Sequence, residues 1–305
     1  PDDAEVEARL WIVGSDGAIV SPHPIGDAAA NGPAWDVRVL DDQSLIVLLD
    51  EPLEGGQASR AVVKRYITNG AWASGQVTSD WMFEQTENEA AAQSIDARSL
   101  FEVEAAESSY GLIGTFILSG QKIKQLIANF SLTTLPDGVP AQVTYSETGA
   151  NGQIPLQASH GLYWAAAPGG GAFVAVGSAI YGGVTWSQTN ILNSNSKLIG
   201  AYQIKDEHNH SVTRLGEDHL VVLAQHESEG SRVHLLDLQD VTADVVENDG
   251  GLELVDTLEF GVTTEGSAIA CHGAQLCLVA GSEAGAPAWS VFRVTDNAQL
   301  EACGL

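Results

Sequence analysis

Basic side chains are scarce in this chain of 305 residues. It has 13 Lys and Arg against 40 Asp and Glu, which gives a formal net charge of -27 at pH 7. Nucleic-acid phosphates and anionic membrane surfaces are bound mainly through Lys and Arg. The composition therefore argues against both as partners, and it predicts an acidic surface that keeps the protein in solution by mutual repulsion.

Long apolar runs are also missing. No segment reaches the roughly 18 apolar residues that a membrane-spanning helix needs, so direct membrane insertion is not expected. The first residues, PDDAEVEARL, lack the basic and apolar parts of a signal peptide and read like the start of a mature chain. We therefore expect an extracytoplasmic protein that is periplasmic, attached to the cell surface or secreted.

The usual signatures of catalysis and cofactor binding do not occur. The chain has no Gly-x-Ser-x-Gly elbow, no Cys-x-x-Cys pair, and no Walker or dinucleotide fingerprint. Carboxylates are so numerous that the presence of any one pair discriminates nothing. We therefore assign no catalytic residue and favour a role other than that of an enzyme.

Helical periodicity is almost absent too. Residues 84–100, EQTENEAAAQSIDARSL, favour helix by composition, but their apolar positions form no stripe and a solvated loop fits them equally well. Elsewhere, short runs rich in Val, Ile, Leu and aromatic residues are bounded by Gly, Asp, Asn, Ser or Pro, which is typical of β-strands and turns. Because 44% of the residues are hydrophobic, there is enough apolar material for a packed core. The sequence predicts a globular all-β chain.

Six pairs of such runs are typical of β-hairpins, each with a Gly-bearing loop between two strands. They lie at residues 9–21, 44–67, 110–132, 162–177, 219–238 and 277–294. Their spacing averages about fifty residues, which is close to the length of one four-stranded propeller blade. The first strand of several hairpins, for example 46–49 and 221–223, is apolar on both faces, as expected of a strand covered on both sides.

These hairpins predict a single β-propeller domain over residues 1–305, with about six four-stranded blades, or seven. A β-sandwich and a β-barrel are the alternatives for a chain of many short strands. Further strands fit between most hairpins, for instance at 139–148 and 252–262, which favours the four-stranded blade.

The segment SAIYGGVTW is similar to a known repeat motif. Ser178, Gly183, Thr185 and Trp186 match the Asp-box of sialidase repeats except that the Asp is missing. In repeat form the chain resembles the extracytoplasmic bacterial propellers with sialidase-like or kelch-like repeats. The resemblance implies the propeller fold. Sialidase activity would also imply three arginines around the substrate carboxylate, and no second motif marks them.

Three histidines are predicted to occupy equivalent turns. The tripeptides SHG and CHG each precede an apolar run, and they are interpreted as the turn that joins the innermost strand of a blade to the second strand. Such turns gather at one face of a propeller, so His160, His219 and His272 would converge near the axis and bind an anion, a metal or another ligand. The alternative is that they are ordinary hydrogen-bonded turn residues.

Two further patterns could hold a metal ion, although no cofactor is required by the sequence. Within the segment EHNH, His208 and His210 would project to the same face of a strand and could share a divalent ion. The oxygen-rich turns at 41–44 and 247–251 could bind Ca²⁺, but neither has the full spacing of an EF-hand loop. The alternative for the histidines is a solvated acidic edge.

Three cysteines are present, and two of them flank the segment HGAQL. If this segment is a tight hairpin, Cys271 and Cys277 face each other and are close enough for a disulfide, which would place the chain in an oxidising compartment. Two buried thiols are the alternative. Cys303 is left over as a free thiol, an intermolecular partner or a competing partner for one of the other two.

Seven Trp residues offer flat aromatic faces that stack on sugars or anchor protein partners. Trp164 and Trp289 are predicted as binding residues, and burial between blades is the alternative for most of the seven. We therefore expect a non-catalytic module that binds a protein or a glycan, or that forms a subunit of a surface assembly. The alternative function is a carbohydrate-active hydrolase or lyase with an axial site of His and carboxylate.

Overall fold

The structure is a computed structural model. It describes residues 9–13, 19–24, 34–40, 44–52, 59–67, 76–84, 94–104, 109–117, 123–132, 141–142, 144–146, 157–195, 197–246, 250–260, 264–273, 276–283 and 286–303. Within these ranges the regular elements are β-strands, and no helix is present that has the length and apolar character needed to cross a bilayer.

The chain divides into two compact units, Pro1–Tyr145 and Ser146–Leu305. The strands of the first unit are β1 (Arg9–Val13), β2 (Ile19–Pro24), β3 (Ala34–Val39), β4 (Leu45–Pro52), β5 (Ser59–Ile67), β6 (Gln76–Glu84), β7 (Ser94–Glu104), β8 (Ser109–Ile117), β9 (Ile123–Ser131), β10 (Ala141–Gln142) and β11 (Thr144–Ser146), which ends one residue past the boundary.

The strands of the second unit are β12 (Gln157–Trp164), β13 (Ala172–Tyr181), β14 (Val184–Asn193), β15 (Leu198–Lys205), β16 (Glu207–Leu215), β17 (His219–His226), β18 (Gly230–Asp237), β19 (Glu253–Glu259), β20 (Thr264–His272), β21 (Leu276–Glu283), β22 (Ala286–Val294) and β23 (Leu300–Ala302).

Within each sheet most paired strands are consecutive in the sequence; the exceptions are β10, which pairs parallel with β6, and β11, which pairs with β9. In the first unit β1 pairs with β2, sheet 1 has the order β10-β6-β5-β4-β3, and sheet 2 has the order β11-β9-β8-β7. In the second unit the antiparallel sheets 3, 4 and 5 run β12-β13-β14-β15, β16-β17-β18-β19 and β20-β21-β22-β23. Such short connections need only tight turns, which the Gly-rich loops provide.

Sheet 4 shows why the middle strands of a blade are apolar on both faces. Leu220 and Val222 on β17 belong to the core cluster shared with sheet 3, whereas Val221 and Leu223 belong to the cluster shared with sheet 5. All four are almost fully buried. Since successive side chains of a strand point to opposite faces, a continuous apolar run is required where a sheet is covered on both sides.

The first strand of each of the five larger sheets contains a β-bulge. The inserted residue is Trp35 in β3, Arg98 in β7, Ser159 in β12, His210 in β16 and Ser267 in β20. A bulge leaves one residue out of the ladder and increases the local twist of the strand. The five sheets therefore repeat one backbone irregularity as well as one strand order.

The side chain that directly follows a bulge can accept a hydrogen bond from the backbone of the next sheet. In the first unit Leu100 N donates to Asp36 Oδ2 at 2.8 Å. In the second unit Val212 N donates to His160 Nδ1 at 3.3 Å, and Ile269 N donates to Ser211 Oγ at 3.4 Å. A buried N–H without an acceptor is costly, so these side chains stabilise the contact between consecutive sheets.

The outer edge of sheet 3 is paired with the long connection between β18 and β19. Ala201 on β15 exchanges two backbone hydrogen bonds with Gly250, at 2.7 and 3.2 Å, and Val246 N donates to Leu198 O at 3.0 Å. An unpaired sheet edge is a template for unwanted strand addition. The connection therefore covers this edge while it leads to β19.

The turn between β12 and β13 corrects one prediction. The tripeptide SHG lies inside β12 and is not a turn, because the chain reverses at residues 165–171. Gly169, Gly170 and Gly171 have φ values of 86°, 104° and 97°, which side chains with a Cβ rarely adopt. A Cβ on Gly171 would also collide with the hydroxyl of Tyr163. The PGGG segment therefore makes the turn.

The predicted all-β fold of the β-propeller class is confirmed, with four-stranded antiparallel sheets as its blades. In the described ranges five sheets have four or five strands and the hairpin β1–β2 stands as a sheet of two, whereas the sequence predicted about six four-stranded blades, or seven. The segment 84–100, expected as a helix or a solvated loop, is instead strand at Glu84, which ends β6, and over 94–100, which belong to β7. Residues 85–93 lie outside the described ranges. The single domain over 1–305 stays a prediction.

We predict that His160 contributes to stability through its contact with sheet 4. The variant His160→Leu removes the acceptor of the buried Val212 N–H and should lower the free energy of unfolding by about 1–2 kcal/mol. His160→Asn keeps an acceptor near the position of Nδ1 and should lose much less. Denaturant unfolding measures both, and equal stability of the two variants would show that the hydrogen bond is unimportant.

Candidate functional site

Sheet 5 carries several exposed apolar side chains on one face. Leu276, Leu278 and Trp289 have 47%, 43% and 62% of their surface exposed. Cys277 and Phe292 lie on the same strands but point to the opposite face of the sheet, where they are buried against sheet 4. Sheet 5 therefore has an inner face that belongs to the core and an outer apolar face that is open to solvent.

The outer face of sheet 5 is built from three cross-strand rows on β20, β21 and β22. From one end to the other, the rows are Ala268–Ala280–Trp289, Ala270–Leu278–Val291 and His272–Leu276–Arg293. Two rows are wholly apolar and the third has its polar residues at its ends. We use the name outer face of sheet 5 for these nine residues.

The same positions in sheet 4 are covered by sheet 5. Aligning the two sheets on their bulges makes Leu278, Ala280 and Trp289 equivalent to the fully buried Val221, Leu223 and Val233. The outer face of sheet 5 thus has the residue pattern of a surface on which another sheet packs. Contiguous exposed apolar patches of this kind mark interaction sites in soluble proteins.

A disulfide supports this face from beneath. Cys271 and Cys277 lie directly opposite each other on β20 and β21, with a Cα–Cα distance of 4.0 Å, and they are bonded. Cys277 is buried in the core cluster between sheets 4 and 5. The predicted disulfide is confirmed, and it ties the two strands that carry most of the outer face. Cys303 is a free thiol.

The polar end of the outer face carries one ion pair. Arg293 on β22 donates to Glu301 on β23 through Nε at 3.0 Å and Nη2 at 2.7 Å. The hydrogen bond to Glu301 and its negative charge raise the pKa of Arg293 further above its ordinary range. Both side chains are exposed, so the pair contributes little to stability and mainly fixes the charge at the rim.

The best-defined group of ionisable side chains lies elsewhere, on the face of sheet 4 that packs on sheet 3. Glu207 is fully buried and binds Arg232 Nη1 at 2.9 Å and His234 Nε2 at 2.8 Å. His234 is 4% exposed, and its Nδ1 lies 2.9 Å from Thr257 Oγ1. Arg232 also binds Glu259 at 3.0 Å and Glu229 at the surface.

Burial and pairing act in opposite directions on the Glu207 carboxyl. Loss of hydration raises its pKa, but the hydrogen bonds and charges of His234 and Arg232 together outweigh that effect and lower the pKa below its ordinary value. The charges of Glu207, Glu259 and Glu229 correspondingly raise the pKa of Arg232, against the opposing effect of burial. Both carboxylate oxygens of Glu207 are engaged by protein partners, so removing either partner would leave a buried charge uncompensated and destabilise the fold.

The structure does not support the predicted equivalence of the three histidines. His160 lies inside β12, where its Nδ1 accepts a hydrogen bond from Val212 N. His272 is the last residue of β20 and His219 the first of β17, so they occupy the two sides of the same kind of turn in successive sheets. The register error arose because SHG, unlike CHG, is not followed by a turn. A binding role for the three residues stays a prediction.

The predicted metal ligands lie at the bulge of β16. His210 is the inserted residue and its side chain is exposed; loss of hydration and then repulsion from His208 lower its pKa. Among the described residues no group of three His, Cys, Asp or Glu side chains is arranged to hold an ion. The calcium hypothesis falls largely on residues 41–43 and 247–249, which lie outside the described ranges. Both metal sites stay predictions.

The two predicted binding tryptophans differ in position. Trp289 lies on the outer face of sheet 5 and is exposed, whereas Trp164 is 5% exposed and packs in the core cluster of sheets 3 and 4. Trp164 thus lies in the core between sheets 3 and 4, and a binding role for either Trp stays a prediction. Sequence reasoning missed Leu276 and Leu278, whose outward direction follows only from the alternation around Cys277. It also missed the pairing of Glu207 with His234.

Comparison with known proteins identifies no family. No protein-family model matches the chain, and no curated protein has a significant sequence match. Among solved structures, an exo-β-1,3-galactanase from Phanerochaete chrysosporium, crystallised with β-1,3-galactotriose, matches with a TM-score of 0.41 and 7% identity over 98% of this chain and 66% of its own.

Two further solved structures show the same level of likeness. The Dos1 propeller matches with a TM-score of 0.43 and 11% identity over 97% of this chain and 62% of its own. A GH43_1 enzyme from Xanthomonas citri matches with a TM-score of 0.40 and 10% identity over 90% of this chain and 91% of its own. This chain spans less than two thirds of the first two proteins, and none of these values supports a statement about activity.

We predict that the Glu207 ion pairs make stability depend on acid pH. Because its pKa is lower in the folded than in the unfolded chain, its contribution is fully present above the pKa of unfolded glutamate and is lost as the pH falls through the folded pKa. Glu207→Gln should cost about 3 kcal/mol near neutral pH and should flatten this acid dependence.

Denaturant unfolding from about pH 7 to about pH 3 measures the effect. The control is Glu259→Gln, which removes a carboxylate that is 61% exposed from the same arginine and should change stability little. If the Glu207 and Glu259 variants behave alike, the buried pairs are not responsible.

Proposed function

We propose that this chain is a non-catalytic, extracytoplasmic β-propeller that binds another protein through the outer face of sheet 5. The observation that carries the proposal is the exposure of Leu276, Leu278 and Trp289 on one continuous sheet face. Burying such aliphatic and aromatic side chains gives about 25 cal/mol per Å² of apolar surface. An exposed Trp is also the residue type most often found at the energetic centre of an interface.

A protein partner fits this face better than a glycan does. Sugar hydroxyls need hydrogen-bonding side chains next to the aromatic ring, but the row that contains Trp289 continues with Ala280 and Ala268. The central row is apolar throughout. Aliphatic side chains at these positions favour a protein surface of matching apolar character.

The confirmed disulfide supports the proposed location. Cys271 and Cys277 form a bond that persists in oxidising surroundings and is rare in reducing ones. An extracytoplasmic location also agrees with the acidic composition and with the sialidase-like or kelch-like repeat form. The residues that resemble the Asp-box lie on a blade hairpin, where that motif is expected: Thr185 and Trp186 are near the start of β14 and follow the Gly182–Gly183 turn.

A hydrolase or lyase is less well supported. The alternative function requires His and carboxylate groups that can contact a carbohydrate. In the second unit Glu207 and His234 come together, but both are buried and each is engaged by protein partners. The geometry of this group is that of a structural ion pair.

We predict that Trp289→Glu weakens partner binding without unfolding the protein. Extracellular proteins of the source organism are passed over the immobilised full chain, a retained protein is identified by mass spectrometry, and its affinity is then measured in purified form by calorimetry. Placing a charge in the apolar interface should weaken binding by at least about tenfold, which corresponds to roughly 1.4 kcal/mol.

The matched control is Ile180→Glu, which places the same charge at an apolar side chain of sheet 3 that is 70% exposed. This variant should bind like the wild type. Unchanged affinity of the Trp289 variant for the identified protein, or an equal loss in both variants, would contradict the proposal.

A further inference from the structure

The first strand of sheet 4 carries two histidines whose rings are not engaged by the protein. Within the described part of the chain, the rings of His160, His226 and His234 each take part in a hydrogen bond. His208 and His210 have neither a hydrogen bond nor an ion pair there. Because neutral imidazole is the commonest protein ligand of metal ions, two unengaged rings on one strand make a candidate metal site.

The two rings point to the same side of β16. Asn209 lies between them and points to sheet 3, where its Nδ2 donates to Gln188 O at 2.9 Å. Since successive side chains of a strand alternate in direction, the residue on either side of Asn209 points away from sheet 3. Loss of hydration and then repulsion from His208 lower the pKa of His210, so the two rings are also near each other in space.

The backbone that carries these rings is held by the neighbouring sheets. In addition to the bond from Asn209 to Gln188, Ser159 Oγ on sheet 3 donates to Asn209 O, and Ile269 N on sheet 5 donates to Ser211 Oγ at 3.4 Å. The chain is therefore fixed on both sides of the inserted residue. A ligand pair on a fixed backbone loses less conformational freedom when it takes up an ion than one on a mobile loop does.

We propose that His208 and His210 together bind a divalent transition metal ion of the Zn²⁺, Ni²⁺ and Cu²⁺ class. Imidazole nitrogen suits these ions, whereas Ca²⁺ and Mg²⁺ prefer oxygen ligands. With two protein ligands the other coordination positions belong to water, which agrees with the lack of a suitable group of three side chains among the described residues. The net charge of -27 also attracts cations to the protein. This site shares no residue with the outer face of sheet 5 and does not depend on the proposed function.

Calorimetric titration of the full chain with Zn²⁺, Ni²⁺ and Cu²⁺ near neutral pH tests the site. All proteins carry Cys303→Ser, because the free thiol would compete for these ions. The expected result is one ion per chain at this site, with Cu²⁺ bound most tightly and no competition from Ca²⁺. His208→Asn and His210→Asn should each weaken binding by more than about tenfold, since even the loss of a residue that only supports a metal ligand costs about that much.

The matched control is His226→Asn. It removes an imidazole from the neighbouring strand β17 whose Nδ1 already accepts a hydrogen bond from Ser228 N at 3.2 Å, and it should leave metal binding unchanged. Circular dichroism without metal checks that each variant is folded. The proposal is overturned if the His208 or the His210 variant binds as tightly as the parent protein, or if all three variants lose affinity equally.

Electron paramagnetic resonance of the Cu²⁺ complex counts the nitrogen ligands and needs no variant that could misfold. The nitrogen hyperfine pattern of the parent protein should correspond to two imidazoles, and that of each single variant to one. A parent spectrum with one nitrogen ligand or none would show that the two histidines do not share an ion, even if an ion is bound.

Discussion

Burial of one sheet between two others is the constraint on which the second unit depends. Sheet 4 meets it by alternating Leu220 and Val222 on one face with Val221 and Leu223 on the other. Each buried aliphatic side chain of this size contributes roughly 1.5–3 kcal/mol relative to an exposed one, which is more than a typical hydrogen bond between neutral groups contributes. Sheet 5 follows the same pattern, but Leu276, Leu278 and Trp289 on its outer face are exposed.

Apolar burial holds the sheets together, and hydrogen bonds and ion pairs between consecutive sheets add to this contact. The side chains after the bulges accept backbone N–H groups of the following sheet, as His160 does from Val212. Between sheets 3 and 4 the charge of Glu207 is balanced by Arg232 and His234, since an unpaired carboxylate at full burial would cost several kcal/mol. The best-defined ionisable group in the second unit is thus accounted for by the fold, which is why the binding role is assigned to the apolar face.

Much of the fold could be predicted from the sequence because strand alternation and turn residues act locally. All six hairpins contain the predicted strands, and Cys271 and Cys277 face each other because five residues between them are compatible only with a tight turn. The bulges could not be predicted, since each inserts one residue without a distinct sequence signal. His160 was assigned to a turn because SHG resembles CHG, which does precede a turn. The contact of Glu207 with His234, 27 residues away, depends on register across three strands.

Only part of the outer face of sheet 5 could be predicted from the sequence. Trp289 was predicted as a binding residue from its chemistry, but Leu276 and Leu278 look identical to core residues such as Val221 until their exposure in the structure is known. Side-chain type indicates that a face will be buried, and only the three-dimensional arrangement indicates whether the covering partner is already present. Trp164 illustrates the converse, because an aromatic residue with the same chemistry is already covered.

Hydroxyl-radical footprinting of the full chain at low protein concentration tests the central claim most directly, because it reports the solvent exposure of individual side chains. If the outer face of sheet 5 is an open binding surface, Leu276 and Leu278 will be oxidised readily while the equivalent interior residues Val221 and Leu223 stay protected. Equal protection of all four residues would show that the face is already part of the core, and the account of sheet 5 as a binding surface would be wrong.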